Sequence, residues 1–477
     1  MAETARLSEA PITPLEAMDD AELFRDWFHG RGAWTGWRAY LAAQFALPMT
    51  DDERVIYHRC TGRQRIPQNP FNESWLIVGR RGGKSQIMAL CAVYLACFRD
   101  YSDYLAPGEL ATIPLIAVDR KQARTLHRYV RALLEVPMLA RLVVRDTAES
   151  FELSNRVIIE IHTASFRSIR GYSVAAAICD EVAFWLSDGS ATPDYEIISA
   201  LRPALASIPG SVLLCASSPH AKRGELYNAY RKYHGQDDAD VLTWQADTQT
   251  MNPSIPDSVV KQAYARDPER ARAEFGAQFR DDISGYVRRE VVEACLSPGV
   301  FERGKLGSIS YSGFVDPSGG SSDSMTLAIG HREDDRIIVD CIREARPPFS
   351  PEAITKDFAD TFQAYGIRKV CGDRYAGEWP REQFAKYGIQ YEASARPKNE
   401  LYKDLLPKLN SGEIELLDNE RLVYQLCSLE RSTARGGRDS IDHPPHGHDD
   451  VANAVPGLAS EVKKPEHVTV IRKSKGF

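Results

Sequence analysis

The chain has 477 residues, of which 43% are hydrophobic and 26% are charged, and its formal net charge is −7. The length predicts two or three domains, and the composition is typical of a soluble globular protein. The charge argues against a nucleic-acid coat protein that is basic throughout, and no apolar run is long enough for a membrane span.

The N-terminal region and the cysteines predict a cytosolic protein. Residues 1–20 are polar and acidic, without the apolar centre of a signal peptide. The 9 cysteines are scattered without a C-x-x-C pair, which predicts free thiols and neither a disulfide framework nor a zinc site. Residues 1–50 predict a helical leader, first acidic and then aromatic, and residues 51–74 a polar segment rich in turns.

The next region predicts the first α/β domain, over residues 51–250. Apolar strand-like runs alternate with helical patterns, which is typical of a parallel sheet with helices on both faces. The predicted strands are Trp75–Val78, Ile113–Val118, Val157–Ile161, Ala175–Cys179 and Val212–Ala216.

A glycine-rich loop follows the first strand, and an apolar helix pattern, Ile87 to Phe98, follows the loop. This layout is typical of a loop that binds the phosphates of ATP through its backbone N–H groups, its lysine and, by way of Mg²⁺, its serine. Val78 stands where the common pattern has its first glycine, so the alternative is a turn with a chance Gly-Lys-Ser. The candidate ATP-binding residues are Gly79, Arg80, Arg81, Gly82, Gly83, Lys84 and Ser85.

Two acids end the strand that stops at Cys179. An acid at the carboxyl end of a sheet strand lies where nucleotides bind, so Asp180 is predicted to hold Mg²⁺ and Glu181 to orient and deprotonate the attacking water. Ser217 and Ser218 end the next strand, where their hydroxyls are predicted to sense the γ-phosphate; an ordinary turn is an equal alternative. Arg170 is a candidate arginine finger, although a surface salt bridge is the simpler interpretation.

Residues 251–305 predict a connector with a charged helix from Pro256 to Phe279, and a second alternation begins near residue 309. Its predicted strands are Ser310–Val315, Met325–Gly330, Arg336–Asp340 and Lys369–Gly372, with a helix over Glu352–Tyr365. This pattern predicts a second α/β domain over residues 306–460, followed by a basic tail, residues 461–477.

Acids recur in this second domain at two strand ends, Asp316 and Asp373, and at a helix start, Asp449 and Asp450. If they converge, two Mg²⁺ or Mn²⁺ ions between them would suit the cleavage of a phosphodiester. Asp323 is a further candidate ligand. Each acid alone could be structural, and Asp449 could cap its helix.

The nearby histidines, His443, His446 and His448, invite a zinc interpretation. A loop beside the acids is favoured because prolines and a glycine separate them.

Taken together, these motifs resemble the large terminase subunit of tailed bacteriophages over residues 50–460. The phosphate loop, Cys179-Asp180-Glu181 and Ser217-Ser218-Pro219 are similar to that family's loop, acidic and coupling motifs. The position of Arg170 is similar to its trans-acting finger. Asp316, Asp373 and the His448-Asp449-Asp450 helix start are similar to its nuclease triad, with Asp450 favoured over Asp449 as the third acid.

The resemblance implies a P-loop NTPase with a parallel sheet flanked by helices, followed by a ribonuclease H-like α/β nuclease. It implies ATP with Mg²⁺ at the first site and two Mg²⁺ or Mn²⁺ ions at the second. It also implies translocation of double-stranded viral DNA into a prohead and cleavage of concatemeric DNA. The implied partners are a portal protein, a small terminase subunit and further copies in a pentameric ring, and the implied place is the host cytoplasm and transiently the prohead portal.

Two other interpretations stay open from the residues. One is a helicase- or repair-type ATPase with an accessory nuclease. The other is a structural subunit that grips DNA through an inactive nuclease fold, although a scaffold has no need to keep acids at every metal position.

Overall fold

A computed structural model describes residues 12–164, 171–185, 193–307, 309–321, 323–373, 378–433, 439–444 and 447–462. The chain divides into two compact units, with the boundary between Asp282 and Ile283. This boundary lies within the predicted connector. Among the described residues, no helix is both long and apolar enough to cross a bilayer.

Unit 1 is built on one large sheet. Its strands are β1 Glu73–Val78, β2 Ala111–Ala117, β3 Val143–Asp146, β4 Ser150–Leu153, β5 Val157–Thr163, β6 Ser173–Val174, β7 Ala176–Asp180, β8 Val212–Ser217 and β9 Val241–Ala246. Its helices are α1 Pro14–Asp19, α2 Arg31–Gln44, α3 Asp51–Thr61, α4 Lys84–Cys97, α5 Arg120–Leu134, α6 Pro137–Ala140, α7 Pro193–Leu205, α8 Gly224–Tyr233, α9 Thr248–Met251, α10 Asp257–Arg266 and α11 Pro268–Glu274.

The strand order of this sheet is β3-β4-β5-β2-β7-β8-β1-β9, and β6 pairs with β2. In this order, all neighbours from β5 through β2, β7, β8 and β1 to β9 pair in parallel, whereas β3 and β4 form an antiparallel edge. The register pairs Ile77 with Ser217 and Asp180 with Ala216. The carboxyl ends of β1, β8 and β7 therefore lie side by side at one edge of the sheet.

The helix that follows the glycine-rich loop, α4, is anchored in the core. Its residues from Ile87 to Ala96 are buried, because it packs in the core between the sheet and other helices. All five strands predicted for this region are present, with ends that differ by one or two residues, so the predicted parallel α/β sheet is confirmed.

Two predictions for this part of the chain were wrong. The supposed turn-rich segment begins with α3, which Thr50 and Glu53 start with reciprocal capping hydrogen bonds. The single helix predicted over Pro256–Phe279 is two helices, α10 and α11. Asp267 ends the first and Pro268 begins the second, because proline has no N–H to continue a helix.

Unit 2 is a mixed α/β structure. Its strands are β10 Ile283–Gly285, β11 Leu296–Ser297, β12 Tyr311–Asp316, β13 Met325–Glu333, β14 Arg336–Ala345, β15 Lys369–Gly372, β16 Gln390–Ala393, β17 Ile414–Leu417, β18 Glu430–Thr433 and β19 Asp439–Asp442. Its helices are α12 Arg289–Glu293, α13 Pro351–Ala364, α14 Trp379–Lys386, α15 Lys398–Ser411, α16 Glu420–Ser428 and α17 Asp450–Glu461.

The main sheet of unit 2 has the order β11-β17-β14-β13-β12-β15-β16, and β10, β18 and β19 form a small separate sheet. The strands β12, β13 and β14 pair antiparallel, whereas β15 pairs in parallel with both β12 and β16. The α17 helix packs on β12 and β13 and is buried from Val451 to Ala459. Both units are α/β, as predicted.

Candidate nucleotide and metal sites

The glycine-rich loop of unit 1 turns sharply into α4. Arg81 and Gly83 adopt the left-handed conformation, with φ of 61° and 94°. A β-carbon at Gly79 would lie 2.4 Å from the Thr248 hydroxyl, and one at Gly82 would lie 2.6 Å from Val78. The loop therefore needs glycine at both places. The first amides of α4 have no intrahelical acceptor and carry the positive end of the helix dipole, which suits an anion.

Lys84 is 5% exposed and lies at the centre of a connected group of side chains. Its ammonium donates to the Val78 carbonyl at 3.1 Å and to the Ser218 hydroxyl at 3.0 Å, and it lies 3.4 Å from the Glu181 carboxylate. The Ser85 hydroxyl donates to Asp180 at 3.1 Å. The predicted lysine, serine and two acids are thus brought together at one end of the sheet.

The two acids are held in different ways. Burial, and then the neighbouring Glu181, raise the pKa of Asp180 to about 6. The Asp180 carboxylate also accepts the Glu181 amide at 3.0 Å. Glu181 has φ of 52°, a strained position for a residue with a β-carbon, and such strain persists where the surroundings fix it.

The strand-ending serines touch both partners of the ion pair. The Ser217 hydroxyl lies 3.0 Å and the Ser218 amide 3.2 Å from the same carboxylate oxygen of Glu181, while the Ser218 hydroxyl accepts from Lys84. A change at Lys84 or Glu181 therefore acts directly on the end of β8. That these hydroxyls sense the γ-phosphate stays a prediction.

The arginines have less direct relations to this group. Arg80 is 60% exposed at its side chain and pairs with Glu274 at 3.4 Å, and Arg81 is also exposed. Arg170, the candidate finger, lies outside the described residues; its neighbour Gly171 is described and adopts φ of 95°.

In unit 2, Asp316 and Asp373 meet at an asparagine, Asn453. The Asn453 amide nitrogen donates to Asp316 at 2.8 Å and to Asp373 at 3.3 Å. Asn453 is 2% exposed, and its amide oxygen has no donor among the described residues. Burial chiefly, and then the acids Asp373 and Asp450, raise the pKa of Asp316 well above its usual range.

The two adjacent acids at the start of α17 have different surroundings. Asp449 is 5% exposed, and its carboxylate accepts from the Lys398 ammonium at 2.7 Å and the Tyr402 hydroxyl at 2.9 Å. It occupies the N-cap position without capping through its side chain. The Asp450 carboxylate accepts the Ser324 amide at 3.1 Å. Lysine already neutralises Asp449, whereas burial raises the pKa of Asp450.

Possible metal ligands in the described part of unit 2 form two groups whose ligand atoms lie within 4.8 Å of one another. One is Asp323, His448 and Asp450, and the other is Asp442, His443 and Asp449. The carboxylates of Asp316, Asp373 and Asp450 do not form such a group. His448 and His443 thus each lie beside two acids, and His446 lies outside the described residues. The zinc interpretation thus gains no three-histidine cluster among the described residues.

The residues around Asp316, Asp373 and Asp450, called the acid cluster below, fit a hard divalent cation. Carboxylate and amide oxygens are the ligands that Mg²⁺ and Mn²⁺ prefer, and the buried Asn453 oxygen lacks a partner among the residues described. The partly buried acids Asp316 and Asp450 both have raised pKa values, which a cation would reverse by favouring their charged forms.

No protein-family model matches the chain, and no curated protein does. Solved structures do. The large terminase of bacteriophage HK97 aligns over 89% of this chain and 98% of its own, with 14% identity and a TM-score of 0.37. A large terminase from a thermophilic bacteriophage aligns over the same shares, with 11% identity and a TM-score of 0.38. The large terminase nuclease of the thermophilic phage G20c, with bound magnesium, covers 34% of this chain and 87% of its own, with 16% identity and a TM-score of 0.31.

The structure also reveals residues that the sequence analysis missed. Asn453 lies one helical turn after Asp450, and this spacing could have marked it as sharing a face with that acid. Trp37, whose indole donates to the Gly82 carbonyl at 2.7 Å, and Thr248, whose hydroxyl donates to the Arg80 carbonyl at 2.9 Å, carry no such signal. Both are far from the loop along the chain.

Proposed function

We propose that the chain is a large terminase of a tailed bacteriophage, an ATPase and a metal-dependent endonuclease that packages double-stranded DNA. The observation that carries the proposal is the connected group of Ser85, Asp180, Glu181, Lys84 and Ser218 on one unit. It is accompanied on the other unit by Asp316 and Asp373, which share one buried amide.

At the first site, Lys84 would exchange Ser218 and Glu181 for phosphate oxygens, since its ammonium has three donors to give. Ser85 and Asp180 would share the Mg²⁺ that accompanies ATP. Glu181 is positioned by Ser217 and the Ser218 amide, so its carboxylate would take the proton from an attacking water at a fixed place.

The two serines give this site a route to the rest of the unit. Ser217 and Ser218 contact Glu181 and Lys84, so the loss of the γ-phosphate would alter the hydrogen bonds at the end of β8. We assign them the coupling role for this reason. Arg170 keeps the role of a finger only by resemblance.

At the second site, Asp316, Asp373 and Asp450 would hold one or two Mg²⁺ or Mn²⁺ ions, with Asp323 as a further ligand. Asp449 would stay paired with Lys398. Such ions clamp the attacking and leaving oxygens of a phosphodiester. The protein's own contribution is to keep the acids partly buried and to orient two of them through Asn453.

The resemblance supplies the remaining parts of the proposal. These are a pentameric ring on the prohead portal, a small terminase subunit and double-stranded DNA as substrate. A helicase- or repair-type ATPase would share both sites, and packaging into proheads separates it from a terminase.

The test uses two variants that should have opposite effects. Lys84→Ala should abolish ATP hydrolysis and leave Mn²⁺-dependent plasmid cleavage intact, and Asp316→Asn should do the reverse. Lys261→Ala and Asp335→Asn, both at exposed positions, are the matched controls. If both site variants keep both activities, the two sites are assigned wrongly. If the original protein hydrolyses ATP but cuts no DNA with Mg²⁺ or with Mn²⁺, unit 2 is better explained as an inactive nuclease fold that grips DNA.

A further inference from the structure

Every carbonyl of the phosphate loop has a donor. The Val78 carbonyl accepts from Lys84, and the Gly79 and Gly83 carbonyls accept backbone amides of the loop and α4. The remaining three accept side chains from elsewhere in unit 1. With their carbonyls so fixed, the loop peptides cannot turn over, and their N–H groups keep one orientation.

Two of these three donors come from one short segment after β9. The Thr248 hydroxyl donates to the Arg80 carbonyl at 2.9 Å, and the Asn252 amide donates to the Arg81 carbonyl at 2.9 Å. The third is Trp37, fully buried on α2 and 2.7 Å from the Gly82 carbonyl. Three consecutive peptide groups are thus each held by a different side chain.

The same segment is tied back to the chain that follows it. The Thr248 amide donates to the Phe275 carbonyl at 2.8 Å, and the Arg80 amide donates to the Glu274 carbonyl. Arg80 is therefore held on one side by Thr248 and on the other by the end of α11. A β-carbon at Gly79 would meet both the Thr248 hydroxyl and the Phe275 carbonyl, at 2.4 and 2.7 Å. The loop therefore packs closely against Thr248 and against residues 274–275 at the end of α11.

We propose that Thr248 and Asn252 are positioning residues that link the state of the phosphate loop to residues 253–274, the stretch containing α10 and α11. Phosphates that draw on Lys84 and the loop amides shift the peptide groups of Arg80 and Arg81. Their two side-chain donors carry that shift into the segment, which continues along the chain to unit 2 at Ile283. This inference rests on the proposed ATP site and adds a route distinct from Ser217 and Ser218.

The experiment is amide hydrogen exchange of the full chain, without nucleotide and with saturating Mg²⁺·ADP or Mg²⁺·ATPγS. Thr248→Val and Asn252→Asp remove one donor each at nearly constant size. Thr248→Ser keeps the hydroxyl and should behave as the original protein. Thr250→Val is the matched control, because that hydroxyl lies on the same helix but donates to Asp247.

In the unchanged protein, nucleotide should slow exchange both in the loop, residues 79–87, and in residues 253–274. In Thr248→Val and Asn252→Asp, saturating nucleotide should still protect the loop, with about tenfold weaker affinity for one lost hydrogen bond. The response of residues 253–274 should be clearly smaller in each of these two variants, which keep the other donor and the backbone bond from Arg80 to Glu274, and should persist in full in Thr250→Val. A role in stability alone would leave that response in place.

Two results overturn the inference: no response of residues 253–274 in the unchanged protein at saturating nucleotide, or a full response in both donor variants. A different result refutes the ATP site itself. If neither nucleotide protects residues 79–87 of the unchanged protein, the loop binds no nucleotide and the linkage falls with it.

Discussion

Removal of the Asn453 amide tests the geometry of the acid cluster most directly. This amide is the donor shared by Asp316 and Asp373, at 2.8 and 3.3 Å. A hydrogen bond to a charged group contributes about 1.5–3 kcal/mol, and the longer of the two counts for less. Asn453→Ala should therefore lower the free energy of unfolding of unit 2 by about 2–4 kcal/mol in the absence of divalent metal.

Asn453→Asp makes the prediction sharper. It replaces the donor by a third acid beside two others, so in EDTA it should destabilise unit 2 at least as much as Asn453→Ala does. Mn²⁺ should reverse much of this loss, because a cation favours the charged forms of all three acids. The gain in stability on adding Mn²⁺ should thus be larger for Asn453→Asp than for the original protein.

Native-state hydrogen exchange of the peptides that cover β12, β15 and α17 measures this free energy in unit 2 alone. Asn410→Ala is the control, since Asn410 is exposed and its amide donates to the Leu406 carbonyl of its own helix. Equal stability of Asn453→Ala and the original protein in EDTA would refute the bridging role. So would a response of Asn453→Asp to Mn²⁺ no larger than that of Asn453→Ala.

Two further predictions concern stability. Gly457→Ala should destabilise unit 2 by about 1–3 kcal/mol, because the added carbon would lie 2.4 Å from the Phe314 ring. The control is Gly304→Ala, whose added carbon would meet no atom of the described residues within 4 Å and should leave the urea midpoint unchanged. Equal midpoints for the two variants would contradict the packing of Gly457 on Phe314. Burial lowers the pKa of His127 to about 4, so the unfolded chain takes up a proton near pH 6.5 that the folded chain does not, and stability falls as the pH drops from 6.5 towards 4. His127→Phe should keep the ring stacked on Phe151 and remove up to about 3 kcal/mol of that loss. The measurement is the free energy of unfolding of both proteins at pH 7 and at pH 4.5. If this free energy falls equally in both proteins between the two pH values, His127 does not titrate in this way.

The two α/β units and most of the candidate site residues are evident from the amino-acid sequence alone. Buried parallel strands are continuous apolar runs, so they are visible without a structure. Asp180 and Ser217 are the last residues of β7 and β8, and Lys84 begins the helix that follows β1 and the glycine-rich loop. Parallel strands bring those ends to one edge of the sheet. The convergence of these residues therefore followed from the pattern.

The residues that support these groups become apparent only in the folded chain. Trp37 is 45 residues from Gly82 and Thr248 is 168 residues from Arg80, and no periodicity links positions so far apart. The structure likewise pairs Asp449 with Lys398 and Tyr402. It places Asn453, on α17, between the two acids at the ends of β12 and β15. Local sequence patterns predict which segments form strands and helices and which of their residues face the core. Contacts between distant segments arise only when the whole core packs.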